Sequence, residues 1–186
     1  MGTRGAWGFV IDGDEKIAYN HFDSYPSGLG SDILQAIRGV DIEVLRADAR
    51  RLRVIQDGEV PTPEDVERLH PWTDLSVGSR SAEDWYCLTR GAQGDVRAAL
   101  ACGIIEDGSD FPADSLFCEW AYVVDLDTAT FEVCRGFQMS PHSRGRFAGR
   151  EVPERSVGPY YPVALVASYP LSNLPEGLRG VEEGED

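Results

Sequence analysis

The sequence predicts an α+β domain: a mostly antiparallel sheet, built from an N-terminal hairpin and C-terminal strands, covered by a central helical segment. Three observations predict it. Strand-like apolar runs occupy the two ends of the chain and are missing from its middle. From Gly28 to about Gly103, apolar residues recur at helical spacing behind capping residues instead. Each end also carries a short turn sequence between two apolar runs, Asp12-Gly13-Asp14-Glu15 and Leu126-Asp127-Thr128-Ala129, which makes those pairings antiparallel.

Trp7–Ile11 and Lys16–Tyr19 form the first hairpin. A turn at Gly13-Asp14, or a loop over residues 12–15, places Ile11 opposite Lys16, Arg4 opposite Asp23 and Thr3 opposite Ser24. A turn at Asp12-Gly13 slips the pairing by two residues and keeps the same faces together. Either way Arg4, His21 and Asp23 share one face, and Thr3, Asn20 and Ser24 share the other. Gly28-Leu29-Gly30 opens a helix carrying Leu29, Ile33, Leu34 and Ile37, stopped by Gly39. Asp41 caps a second helix with Ile42, Leu45, Ala49 and Leu52 inward and Arg46, Arg50, Arg51 and Arg53 mostly outward. Thr62-Pro63-Glu64-Asp65 starts a short third helix. Ser81–Asp84 starts a fourth, and Gly94-Asp95 the last.

Residues 106–115 read as an acidic loop. Phe117–Asp125 and Thr130–Phe137 form the second hairpin, with Asp125 opposite Thr130. That register sets Cys134 opposite Ala121 and leaves Cys118 off the same face. Residues 140–157 show no regular element but carry Arg144, Arg146, Arg150 and Arg155. Residues 160–168 form a final strand.

Length and composition suit one such domain. The 186 residues suffice for a substantial core, and 42% hydrophobic content is ordinary for a folded chain. Residues 1–178 are read as the domain and 179–186, ending in Glu182-Glu183-Gly184-Glu185-Asp186, as a disordered acidic tail. No apolar run approaches the roughly 20 residues of a membrane-spanning helix. Met1-Gly2-Thr3-Arg4 lacks the apolar core of a signal peptide, so a small soluble cytoplasmic protein without a membrane partner is expected.

The formal net charge of −15 opposes direct binding to nucleic acid. It suits solubility, or an acidic surface that blocks a basic protein partner. Cys87, Cys102, Cys118 and Cys134 form no CxxC pair and no tight Cys/His spacing, so no metal and no cofactor are expected and the thiols are read as reduced.

The stretch Tyr19-Asn20-His21-Phe22-Asp23-Ser24-Tyr25-Pro26-Ser27-Gly28-Leu29-Gly30 is the candidate site. It places polar side chains in a loop between a strand and a helix, where rigid neighbours hold them in position. Arg4, His21 and Asp23 suit capture of a carboxylate or phosphate, or a His–Asp general base. The plainer reading is an internal Arg–Asp pair that pins the loop. Ser24 and Tyr25 add hydroxyls. The amides of Gly28-Leu29-Gly30 suit an anion cradle, or the glycines serve only a tight turn.

The opening Met-Gly-Thr-Arg-Gly-x-x-Gly-Phe, followed by Tyr-Asn-His-Phe-Asp-Ser-Tyr-Pro-x-Gly-Leu-Gly, resembles a group of small bacterial and phage-encoded proteins without an assigned activity. A second similarity is to the N-terminal nucleophile (Ntn) hydrolases, in which a nucleophile begins the first strand and an Asn and an Asp close the second. Thr3, Asn20 and Asp23 occupy comparable places. The resemblance implies amide hydrolysis with Thr3 as nucleophile, its own α-amine as base, Asp23 orienting that amine and Asn20 or backbone amides holding the oxyanion. It requires removal of Met1 and Gly2. Two functions are therefore expected around a polar pocket at the hairpin end: an Ntn-type hydrolase, or a non-enzymatic module that binds a small anion or a protein partner.

Overall fold

The first hairpin turns on Asp12-Gly13. Asp12 (φ 55°) and Gly13 (φ 82°) are both left-handed, as a two-residue turn matching the strand twist requires. Strand β1 (Gly5–Ile11) therefore pairs with β2 (Asp14–Asn20) in the slipped register, Gly5 opposite Asn20 and Ile11 opposite Asp14. The register with Arg4 opposite Asp23 is not formed. The computed structural model describes residues 2–154 and 158–183.

The central segment supplies α1 (Ser31–Ile37), α2 (Ile42–Arg51), the three-residue strand β3 (Arg53–Ile55), α3 (Pro63–Leu69), α4 (Trp85–Leu88), α5 (Val96–Cys102) and the equally short β4 (Ile104–Glu106). Cap chemistry sets the boundaries. Asp41 accepts from the amide of Glu43, Thr62 and Asp65 form a reciprocal capping box, and Asp95 accepts from the amides of Arg97 and Ala98. The C-terminal part forms β5 (Trp120–Asp125), β6 (Thr130–Arg135), β7 (Ala164–Pro170) and α6 (Arg179–Glu183).

The main sheet has the order β2-β1-β5-β6-β7. Only β1 and β5 run parallel, and the helical segment is the crossover between the two hairpins. The fold is α+β with a mostly antiparallel sheet. Because β1 lies inside it, all seven of its residues are buried, which explains its continuous apolar run. One face of the sheet, including Trp7, Phe9, Tyr122 and Phe131, packs under Leu29, Ile33, Leu34, Leu45 and Val96 of the helical segment.

Three elements depart from expectation. Arg53 lies in β3, not on a helix, and the loop expected over 106–115 begins in β4; these strands pair in parallel with Arg53 opposite Ile104. Residues 179–183, read as part of the tail, form α6, with Leu178 buried at its start; residues 184–186 lie outside the described residues. The second sheet face is not open. Ala6, Val10, Ile17, Ala121 and Val123 are covered by Phe147 and Val163 from the chain between β6 and β7, and Cys118 joins Cys134 in this cluster instead of lying off its face.

Ion pairs hold that cover down. Arg146 reaches Asp125, both oxygens of Glu132 and Glu15, while Arg150 reaches Glu15 and the Ser109 carbonyl. Arg146 and Arg150 thus meet acids of three strands, while Arg144 donates to Gln138 Oε1; Arg155 lies outside the described residues. On the other side, Lys16 donates to the carbonyls of Ala49, Arg50 and Leu52, closing the negative end of α2. The Asp127 carboxylate accepts the amides of Asp12 and Gly13, each at 2.8 Å, and so locks the two hairpin turns together.

Candidate functional site

Strand β2 ends at Asn20, whose amide decides the path of the next residues. Its Nδ2 donates to the Phe22 carbonyl and, at 2.8 Å, to Ser24 Oγ. The Ser24 amide donates to the Thr3 carbonyl (3.2 Å), and the Tyr122 hydroxyl donates to the Ser24 carbonyl (2.8 Å). Thr3, Asn20 and Ser24 are all buried, as one polar layer behind the loop. His21, Phe22 and Asp23 are pushed outward. Asp23 takes a left-handed conformation (φ 53°), which an Asp tolerates, and its carbonyl accepts the Leu29 amide at 2.9 Å.

In the turn that follows, the amides of residues 28–30 are committed to the backbone, and the Ser27 amide donates to the Glu182 carboxylate (3.2 Å). The amides of Gly28 and Gly30 both donate to the Tyr25 carbonyl, and that of Leu29 to Asp23. The expected Gly28-Leu29-Gly30 cradle is therefore closed by its own backbone. Close packing explains the glycines. A Cβ at Gly28 would collide with the Asp23 carbonyl, and one at Gly30 would stand 2.8 Å from Tyr122 Cε1 and Leu178 Cδ1.

Arg4 is the second correction. Its guanidinium lies 5.6 Å from the Phe117 ring centroid and forms no ion pair with Asp23 among the described residues. Slipping the hairpin by two residues removed the opposition the pair needed. Tyr25 is partly exposed and contributes its carbonyl to the turn.

Asn20, His21 and Asp23 line a cleft of about 590 Å³ together with residues from several other elements. Tyr19 and Phe22 join them on one wall. Asp32 comes from α1, Tyr86 from α4, Arg90, Gln93 and Gly94 from the connection to α5, and Glu106 and Asp107 from the end of β4. The Tyr19 hydroxyl bonds His21 Nδ1 at 2.7 Å, and the His21 ring meets Phe22 edge-on at 4.2 Å. Tyr19, Phe22 and Tyr86 are 42%, 58% and 41% exposed, so aromatic rings rim the opening.

Among the described residues the charges are one-sided: the carboxylates of Asp23, Asp32, Glu106 and Asp107 face a single guanidinium, Arg90, which lies 6.0 Å from the Tyr86 ring centroid. Burial, assisted by the charge of Asp84, pushes the Glu106 carboxyl above its ordinary range against the Thr89 hydroxyl. Burial likewise raises the Tyr19 phenol, opposed by Arg4.

Neither Thr3 nor Ser24 lines the cleft. The Thr89 hydroxyl, which does, is buried and donates to the Trp85 carbonyl. Among the described residues, no group of three or more His, Cys, Asp or Glu is placed to hold a metal ion. Also among these residues, no helix is long and apolar enough to cross a membrane.

Half of this site was visible as a contiguous polar stretch. The other wall was not, because Tyr86, Arg90, Gln93, Glu106 and Asp107 come from short elements far along the chain. Their one sequence signal is the acidic run after Ile104-Ile105.

Fold and cleft together define an α+β domain with a ligand-sized, acidic, aromatic-rimmed pocket. Comparison with protein-family models, with curated proteins and with solved structures finds no match to the chain.

Proposed function

We propose that the protein binds a small organic cation, an amine on an apolar or aromatic body, in the cleft at the end of the first hairpin. The observation that carries this reading is the convergence of three exposed aromatic rings and four carboxylates on one cavity of about 590 Å³. Cavities of this size enclose drug-sized ligands, and aromatic faces attract cations most strongly where water is excluded. Glu106 and Asp107 supply the counter-charge, Tyr86 and Tyr19 the faces, and Trp7, Leu29 and Ile105 the apolar floor. The buried Thr3 side chain and the Asn20 amide, committed to Phe22 and Ser24, favour ligand capture over Ntn-type amide hydrolysis.

Isothermal titration calorimetry with phenethylammonium and its neutral analogue 2-phenylethanol tests the proposal. The cation is expected to bind about ten-fold or more tightly, and Glu106→Gln to remove most of that preference. A protonated Glu106 no longer attracts a cation, so affinity falls as pH is lowered through its raised pKa. Equal affinity for the two probes would count against the proposal.

A further inference from the structure

A second cleft, of about 580 Å³, shares no lining residue with the first and has the opposite charge. Arg51 from the end of α2, Arg68 from the end of α3 and Arg97 from the start of α5 line it, against the single carboxylate, among the described residues, of Asp48. Leu45, Leu100 and Val40 form an apolar floor. In a chain of net charge −15, such a concentration of guanidinium groups around one concavity is set against the general field.

Internal pairing leaves most of their donors uncommitted. Arg51 pairs with Asp48 through one nitrogen. Arg68 stands 3.5 Å from the Cys102 carbonyl and 3.7 Å from Asp65. Arg97 donates to the Gln35 carbonyl and has no carboxylate partner among the described residues. Each guanidinium carries five N–H donors in a planar fork, far more than these contacts use. Arg146, elsewhere in the same fold, shows the alternative, with all its nitrogens on carboxylates.

We infer that this cleft binds a phosphomonoester carrying an apolar group. The three terminal oxygens of the phosphate accept from the three guanidinium groups, where a carboxylate offers two oxygens, and the organic group covers the Leu45–Leu100 floor. The inference does not rest on the cation cleft.

The test is titration of the intact protein with phenyl phosphate, followed by calorimetry and by amide shifts in NMR, beside inorganic phosphate and benzoate. Phenyl phosphate is expected to bind more tightly than either, with shifts at residues 45–51 and 97–103. Arg97→Gln and, separately, Arg51→Gln should each weaken it at least about ten-fold, equivalent to about 1.4 kcal/mol. Both side chains lie at the surface, so the variants should melt as the parent does, and two independent sites guard against one misfolding. Absence of saturation at millimolar phenyl phosphate, or parental affinity in both folded variants, would overturn the inference.

Discussion

Replacing Arg146 with Met removes one guanidinium and keeps most of the stem, which isolates the charge. The Arg146 side chain is 16% exposed, and its partners Asp125 and Glu132 are 7% and 15% exposed. After the change Asp125 retains the amides of Asp127 and Thr128 on Oδ1, while its Oδ2 and both oxygens of Glu132 lose their donor. Glu15 keeps Arg150. Breaking a buried pair from one side costs about 3–5 kcal/mol, and the partial exposure here places the cost near the lower limit, about 3 kcal/mol.

The pH dependence has a definite sign. Burial raises the Asp125 carboxyl, but the Thr128 and Arg146 hydrogen bonds outweigh it and hold the group below the ordinary Asp value. A depressed carboxyl contributes stability that is present above its unfolded pKa and lost as pH falls through the folded one. Without Arg146 that contribution shrinks, and protonation relieves the repulsion between Asp125 and Glu132. Urea denaturation at pH 7 and at about pH 3 should therefore show a deficit of about 3 kcal/mol that narrows in acid. A deficit below about 1 kcal/mol at pH 7, or one unchanged in acid, would refute the account of how residues 140–154 are held to the sheet.

Two further predictions concern the loop that shapes the first cleft. Gly30→Ala places a methyl 2.8 Å from Tyr122 and Leu178 in a backbone that is already helical (φ −58°), so overpacking alone decides the sign. A loss of about 1–2 kcal/mol by chemical denaturation is expected, and an unchanged or raised midpoint would show that the packing against Tyr122 is misread. In a double-mutant cycle of Arg4→Ala and Asp23→Asn, the effects should add within about 0.5 kcal/mol, since the two groups share no partner among the described residues. Coupling beyond about 1 kcal/mol would restore the opposed register.

Both hairpins and the helical middle were legible because turn and cap residues sit at fixed offsets from apolar runs. The turn position was not unique: Asp12-Gly13 and Gly13-Asp14 are both turn formers. The choice is made from a distance, by Asp127 accepting the two turn amides and by Arg50 holding the Asp12 carboxylate. The misplacement of Arg4 against Asp23 follows from that two-residue slip. Strands β3 and β4 are three residues each, too short for any period to show. Residues 140–154 pack through arginine pairs and one buried phenylalanine, which leave no periodic trace. The cleft was half legible for a related reason: its near wall is one peptide, whereas its far wall exists only once α4 and β4 have been brought against β2.

The most direct test of the cation cleft is an amide-shift map of isotopically labelled protein titrated with phenethylammonium, beside 2-phenylethanol and phenylacetate. The account predicts saturable shifts confined to residues 19–23, 86–94 and 104–107, strongest for the cation and weakest for phenylacetate. Shifts of equal size for all three probes, or shifts centred away from these residues, would contradict it.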